Sequence, residues 1–195
     1  MKHVIGITGS ISTGKSYVSS YIKKLGYNVL DADEICHELE DYNMPGYLAI
    51  EKHFDVIENG KINRTKLWDI IFSSPDKRKL LNSLIHPLVK NELQGRINES
   101  NDEIIFIDVP LLFEASFDDI CDKVICVSTP KDIQIKRLMA RDKLNYEKAL
   151  KRIEAQMPLA FKEKKSDYII NSDEDFLVTN KNIIEVIERI KKNYA

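Results

Sequence analysis

Residues 9–16 read Gly-Ser-Ile-Ser-Thr-Gly-Lys-Ser, directly after the apolar run Val4-Ile5-Gly6-Ile7 and directly before a helical pattern. The stretch fits G-x-x-x-x-G-K-[ST], a phosphate-binding loop between a strand and a helix. Gly9 and Gly14 let the backbone fold tightly enough for several N–H groups to point inward at a nucleotide's β-phosphate. The following helix turns its positive end to the same anion. Lys15 adds a mobile charge that can follow a transferring phosphoryl group, and Ser16 offers a hydroxyl of the right type and position to ligate Mg2+. Gly9, Ile11, Ser12, Thr13, Gly14, Lys15 and Ser16 are thus the expected nucleotide-binding residues of the loop.

Outward from the loop, strand and helix alternate. Val18, Tyr21, Ile22 and Leu25 recur at helical spacing before a stop at Gly26. Tyr27 to Leu30 reads as a second strand ending at Asp31-Ala32-Asp33. Ile104 to Val109 and Lys123 to Val127 are β-branched, nearly continuous apolar runs, as expected of parallel strands covered on both faces. Tyr168-Ile169-Ile170 is a shorter fifth candidate, and Ile183, Ile187 and Ile190 share one face of a terminal helix. The expected fold is α/β: a P-loop NTPase three-layer fold with a parallel five-stranded sheet, a helical substrate-binding insertion and a lid. In such a sheet ligands collect outside the carboxyl ends of the strands, where the loop, Asp31, Asp33 and Asp108 fall.

The expected division is core at 1–33, a helical insertion at 34–103, core at 104–130, a lid at 131–165 and core again at 166–195. The insertion carries turn signals at Pro45-Gly46, Asn59-Gly60 and His86-Pro87. The lid segment carries 11 Lys/Arg against 5 Asp/Glu, a local balance of +6 in a chain whose net charge is -2. A basic cover over an anionic ligand has this composition, although a solvated helical face has it too. Arg137 and Arg141, one helical turn apart, are placed to face one phosphate.

Composition excludes other classes. With Lys+Arg 29 against Asp+Glu 31, no general nucleic-acid or membrane-surface binder is indicated. The longest apolar stretch, Ile104 to Phe113, is too short for a bilayer and contains Asp108 and Pro110. The first strand begins at once, leaving no room for a signal peptide. Cys36, Cys121 and Cys126 form no C-x-x-C pair, which argues against a disulfide framework or a zinc ribbon and for a reducing, cytoplasmic setting. His3, His37, His53 and His86 lack the spacing of a zinc site.

The carboxylates have two readings each. Asp33, just past the second strand, can take a proton from an attacking hydroxyl or cap the helix that begins near Glu34. Asp31 can do either. Asp108 ends a strand where phosphate-loop enzymes often place an acid that holds Mg2+ through water, or it is a strand-end turn residue.

The loop, Asp31-Ala32-Asp33, Leu84-Ile85-His86-Pro87, Asp108-Val109-Pro110-Leu111-Leu112-Phe113-Glu114, Arg137, Arg141, Arg152, Gln156 and Asp167-Tyr168-Ile169-Ile170-Asn171 together resemble the dephospho-CoA kinase family along essentially the whole chain. The resemblance implies ATP-dependent phosphorylation of the ribose 3′-hydroxyl of a small-molecule substrate, dephospho-CoA, as the last step of coenzyme A synthesis. It assigns the base to Asp33, with Lys15 and Arg141 beside it in catalysis. It sets Asp31, His86, Pro110 and Leu111 on the substrate side, Arg137, Arg141 and Asn171 on the ATP side, and Ser16 and Asp108 on Mg2+.

The family's loop usually has glycine where this chain has Ser10 and Ser12, so both are expected to avoid conformations that only glycine tolerates. His37 stands where an arginine is common, and Asn82 where an acid is usual. His86-Pro87 is expected as a helix entry or turn. Trp68, amid Leu67, Ile70, Ile71 and Phe72, is expected in the core, although the same face could receive a pantetheine arm. A nucleotide-switch module would need D-x-x-G and N-K-x-D, yet no Asp lies three residues before any Gly and residues 180–183 read Asn-Lys-Asn-Ile. A nucleoside monophosphate kinase would share the sheet, loop and lid. The D-A-D and D-V-P-L-L-F-E segments distinguish this chain from it.

Overall fold

The structure is a computed structural model that describes residues 2–173 and 175–194. Its elements run β1 (His3–Gly9), α1 (Lys15–Lys24), β2 (Asn28–Asp31), α2 (Ala32–Leu39), α3 (Pro45–His53), β3 (Ile57–Glu58), β4 (Lys61–Ile62), α4 (Arg64–Ser73) and α5 (Pro75–Glu99). They continue with β5 (Ile104–Asp108), a 3-10 turn (Asp118–Ile120), β6 (Lys123–Ser128), α6 (Lys131–Asp142), α7 (Tyr146–Glu154), α8 (Leu159–Lys165), β7 (Tyr168–Asn171) and α9 (Phe176–Tyr194). The chain divides into two compact units, Met1–Leu30 with Asn101–Ala195, and Asp31–Ser100.

The first unit is built on a five-stranded sheet of order β2-β5-β1-β6-β7, in which the pairs β5–β1, β1–β6 and β6–β7 are parallel. Ile5 and Ile7 of β1, Phe106 of β5, Ile125 and Val127 of β6 and Ile170 of β7 cluster with Val18 and Ile22 of α1 and Ile183, Ile187 and Ile190 of α9. The alternate residues Ile105, Ile107 and Cys126 are equally buried, so both faces of the sheet are covered. That double burial is why these strands read as unbroken apolar runs. The helix α8 packs on β1 and β6.

In the second unit α5 packs against α2, α3 and α4. Its residues Ile85, Val89, Leu93 and Ile97 recur every fourth position and are buried. Asn59 and Gly60, with φ of 51° and 73°, make the tight turn between β3 and β4, as their pairing in the sequence signals. The other two turn expectations are corrected. Pro45 is the first residue of α3, where its missing N–H costs nothing. His86-Pro87 lies inside the 25-residue α5 rather than at an entry. A proline in a helix interior costs about 3 kcal/mol, whereas each large apolar side chain buried on either side of it contributes about 1.5–3 kcal/mol. Four such side chains outweigh one missing hydrogen bond.

Trp68 is also corrected: it is 52 % exposed and stacks on Phe72, itself 74 % exposed. The apolar run in α4 is wider than one helical face, and Leu67 and Ile71 take the inward positions. Trp68 and Phe72, each one residue later, are turned out by the same 3.6-residue period. The thiols of Cys36, Cys121 and Cys126 are free, and burial is the chief cause that pushes each up to about 12. They remain protonated and poorly nucleophilic at neutral pH.

Candidate active site

The loop leaves β1 at Gly9, where a Cβ would lie 2.6 Å from Thr13 Oγ1 and 2.9 Å from the Val127 carbonyl oxygen. Gly9 is therefore required by close approach. Gly14, the N-cap of α1, is required by its φ of 85°. Among the described residues no side chain caps α1 and its first turn holds no acid, so its leading N–H groups and positive end suit an anion. Ser12 adopts φ 59°, in the left-handed region that favours glycine but is open to other residues. That conformation costs a non-glycine residue about 1–2 kcal/mol. Its hydroxyl oxygen is buried with no hydrogen-bond partner among the described residues.

Lys15, the first residue of α1, forms an ion pair with Asp108. Asp108 closes β5 directly opposite Ile7 of β1, is 3 % exposed, and also accepts from Ser19 Oγ at 2.6 Å. Its carboxylate is thus held on two sides beside the loop. Ser16, on the next position of α1, is exposed.

The rest of the loop is held by side chains from outside the motif. Ile11 N–H donates to Gln156 Oε1 at 2.8 Å, and Ser10 Oγ donates to the same oxygen at 3.0 Å. Gln134 Nε2 donates to the Ile11 carbonyl at 2.6 Å and to Ser10 Oγ at 2.9 Å. The Ile11 side chain packs on the apolar cluster of Ile135, Leu138 and Ala149 between α6 and α7. Ser172 Oγ donates to the Thr13 carbonyl. Only the glutamine at 156 carried a signal, as one of the family-like positions.

The two arginines of α6 do not share a target here. Arg137 Nη2 donates to the Ser172 carbonyl at 2.5 Å, which ties α6 to the end of β7. Arg141 is exposed and forks onto Asp142, with Nε 2.7 Å from Oδ1 and Nη2 3.3 Å from Oδ2, while Arg152 Nη1 reaches the same carboxylate at 2.6 Å. The hydrogen bond from Arg141 and the charges of both arginines hold the Asp142 carboxyl below its usual range. The spacing that puts two side chains on one helical face leaves each free to find its nearest acceptor.

Pro110 and Leu111 are half-buried after β5, and the Pro110 carbonyl accepts from Thr8 Oγ1 at 3.2 Å and Lys162 Nζ at 2.9 Å. Asn171, the exposed last residue of β7, accepts on its carbonyl from Asn182 Nδ2 at 3.4 Å.

In the second unit the structure separates the duties of two carboxylates. Helix α2 begins at Ala32, not near Glu34, and Asp31 caps it: Oδ1 accepts from Asp33 N–H at 2.8 Å and Glu34 N–H at 3.2 Å. Asp33 lies in the first turn and is exposed. His86 is half-buried in α5, and burial pushes its pKa below the usual value.

A strand, a glycine-bounded loop with a lysine at its end, an uncapped helix and a carboxylate at the neighbouring strand's end define a phosphate-loop kinase. The family described as dephospho-CoA kinase (CoaE) matches residues 3–177, and the chain belongs to that family of phosphotransferases. A dephospho-CoA kinase of Listeria monocytogenes serotype 4b is 38 % identical over 199 residues, covering 99 % of this chain and 100 % of that protein. Among solved structures, dephospho-CoA kinase from Campylobacter jejuni aligns with a TM-score of 0.74 at 30 % identity over 100 % of both chains. TT1252 from Thermus thermophilus aligns with a TM-score of 0.83 at 28 % identity, over 96 % of this chain and 97 % of that one. A kinase of this family uses ATP and acts on a small molecule. Among the described residues no helix is long and apolar enough to cross a membrane.

Proposed function

We propose that the chain transfers the γ-phosphoryl group of ATP to the ribose 3′-hydroxyl of dephospho-CoA, with Asp33 as general base and the loop as phosphate clamp. The substrate oxygen bonds to the γ-phosphorus as the bond to the leaving ADP oxygen breaks, and the hydroxyl proton passes to the Asp33 carboxylate. The observation that carries this reading is the uncapped, acid-free start of α1 together with Lys15 beside Asp108. Asp31, not Asp33, accepts from the N–H groups at the start of α2, and Asp33 lies exposed in the first turn, where a substrate hydroxyl can reach it. Lys15 turns from Asp108 toward the phosphates, and Arg141 exchanges Asp142 for the transferring group while Arg137 stays near Gly14 on the ATP side.

The oxygen donors Ser16 and Asp108 suit a hard cation and would hold Mg2+. Bound there, Mg2+ would supply charge neutralisation on the phosphate oxygens. Residues 34–103 serve as the acceptor-binding insertion, with Asp31, His86, Pro110 and Leu111 on the acceptor side, and residues 131–165 as a lid that excludes water. Asn171 borders the adenine. The free, protonated thiols fit a reducing cytoplasm.

A coupled ADP-release assay tests the function. Dephospho-CoA should stimulate release far more than AMP, adenosine or shikimate. Comparable turnover with AMP rejects the proposal.

A further inference from the structure

Lys162, on α8, is 0 % exposed. A buried ammonium has three donors to match and a charge to balance, and here both conditions are met. Nζ lies 3.2 Å from the Gly9 carbonyl oxygen, 2.9 Å from the Pro110 carbonyl oxygen and 2.9 Å from Glu114 Oε1. Gly9 is where the chain leaves β1 to form the loop, and Pro110 follows β5 just beyond Asp108. The two strands are paired in register, Ile7 opposite Asp108. One cation therefore bridges the exits of the strands that carry Lys15 and its partner Asp108. The next two loop residues, Ser10 and Ile11, are held by Gln134 and Gln156, so the front half of the loop takes its shape from side chains of residues 131–165.

We infer that Lys162 is a positioning residue for phosphoryl transfer, setting the spacing between the phosphate loop and the Asp108–Pro110 segment from beneath. It rests on the phosphotransfer reading above and touches no reacting atom. An apolar side chain of the same length would fill the space without the cost of desolvating a charge, but it would remove the donor that the Gly9 and Pro110 carbonyls and the Glu114 carboxylate share.

Three variants test this: Lys162→Met, Lys162→Arg, and the double variant Lys162→Met/Glu114→Gln, in which no unpaired charge is left. Each is measured by thermal denaturation, by titration with a fluorescent ATP analogue, and by steady-state kinetics with dephospho-CoA. Lys162→Arg should melt nearest the wild-type temperature because cation and donors remain, and the double variant should melt above Lys162→Met because the carboxylate that faced the ammonium is gone. Both should still bind the ATP analogue more weakly and turn over more slowly, by about tenfold or more for the double variant, since sub-ångström misplacement of a clamp is costly. If melting temperature, nucleotide affinity and kcat all return together in the double variant, Lys162 is structural only and the inference falls. The titration needs no acceptor. A wild-type protein that binds the analogue but does not phosphorylate dephospho-CoA would therefore overturn the proposed function, while the ranking of the variants in the titration would still judge Lys162.

Discussion

Two acidic side chains separated by a single alanine do different work because the helix starts between them. Asp31 sits at the extended N-cap position with its carboxylate on the N–H groups of Asp33 and Glu34. Asp31→Ala should therefore lower stability by about 1 kcal/mol in denaturant unfolding, while Asp31→Asn, which caps nearly as well, should be close to neutral. Asp33→Asn keeps shape and hydrogen-bonding capacity but removes the basic oxygen. ATP binding should persist while kcat falls by roughly 10²- to 10⁴-fold. A fully active Asp33→Asn enzyme in the same assay would move the base to Asp31 or remove it from the mechanism.

At the scale of the element, α5 shows a burial stripe overriding a local breaker. Ile85, Val89, Leu93 and Ile97 carry the helix through Pro87, and His86 is drawn into a half-buried site with it. Burial favours the neutral imidazole and lowers its pKa from the usual 6.5. The unfolded chain then takes up a proton first as pH falls. Stability contributed by neutral His86 is fully present above the unfolded value, declines as pH falls below it, and levels off once the folded protein is protonated too. Urea unfolding between about pH 8 and 5 should show this decline in the wild-type protein and a shallower one in His86→Gln. Equal slopes would mean that burial of His86 does not govern its titration.

For the whole molecule the relevant feature is how the segment 131–165 holds the loop while keeping a cation at its exposed side. Gln134, Gln156, Lys162 and the packing of Ile11 bind the segment to the loop, whereas Arg141 is parked on Asp142 in solvent. On the proposed function, Arg141 is the member that exchanges Asp142 for the nucleotide. Arg141→Ala should raise KM for ATP and lower kcat together, because charge stabilisation and lid closure are lost at once. Arg141→Lys should recover only part of both, since a point charge cannot hold two phosphate oxygens as a planar fork does. Steady-state kinetics at saturating dephospho-CoA measure both. Unchanged KM in Arg141→Ala would leave the arginine as a surface charge paired with Asp142.

Local and periodic features were legible in the chain itself: the loop with its two required glycines, the apolar runs that become doubly covered strands, the Asn59-Gly60 turn, and the isoleucine stripe of α9. Each depends on neighbours within a few residues, so backbone sterics and burial period suffice to specify it. Which carboxylate caps α2 was undecidable there, because both spacings are compatible with a cap until the first helical residue is known. The outward turn of Trp68 and the passage of α5 through Pro87 depended on which helical face met the core. Lys162 looked like one more cation in a basic helix, and nothing nearby marks it out. Its partner Gly9 is 153 residues away, and only the pairing of β1 with β5 and the packing of α8 on that sheet bring the ammonium to two carbonyls and a carboxylate. A buried charge is tolerated only where distant groups converge to satisfy it, and that convergence is a property of the tertiary structure.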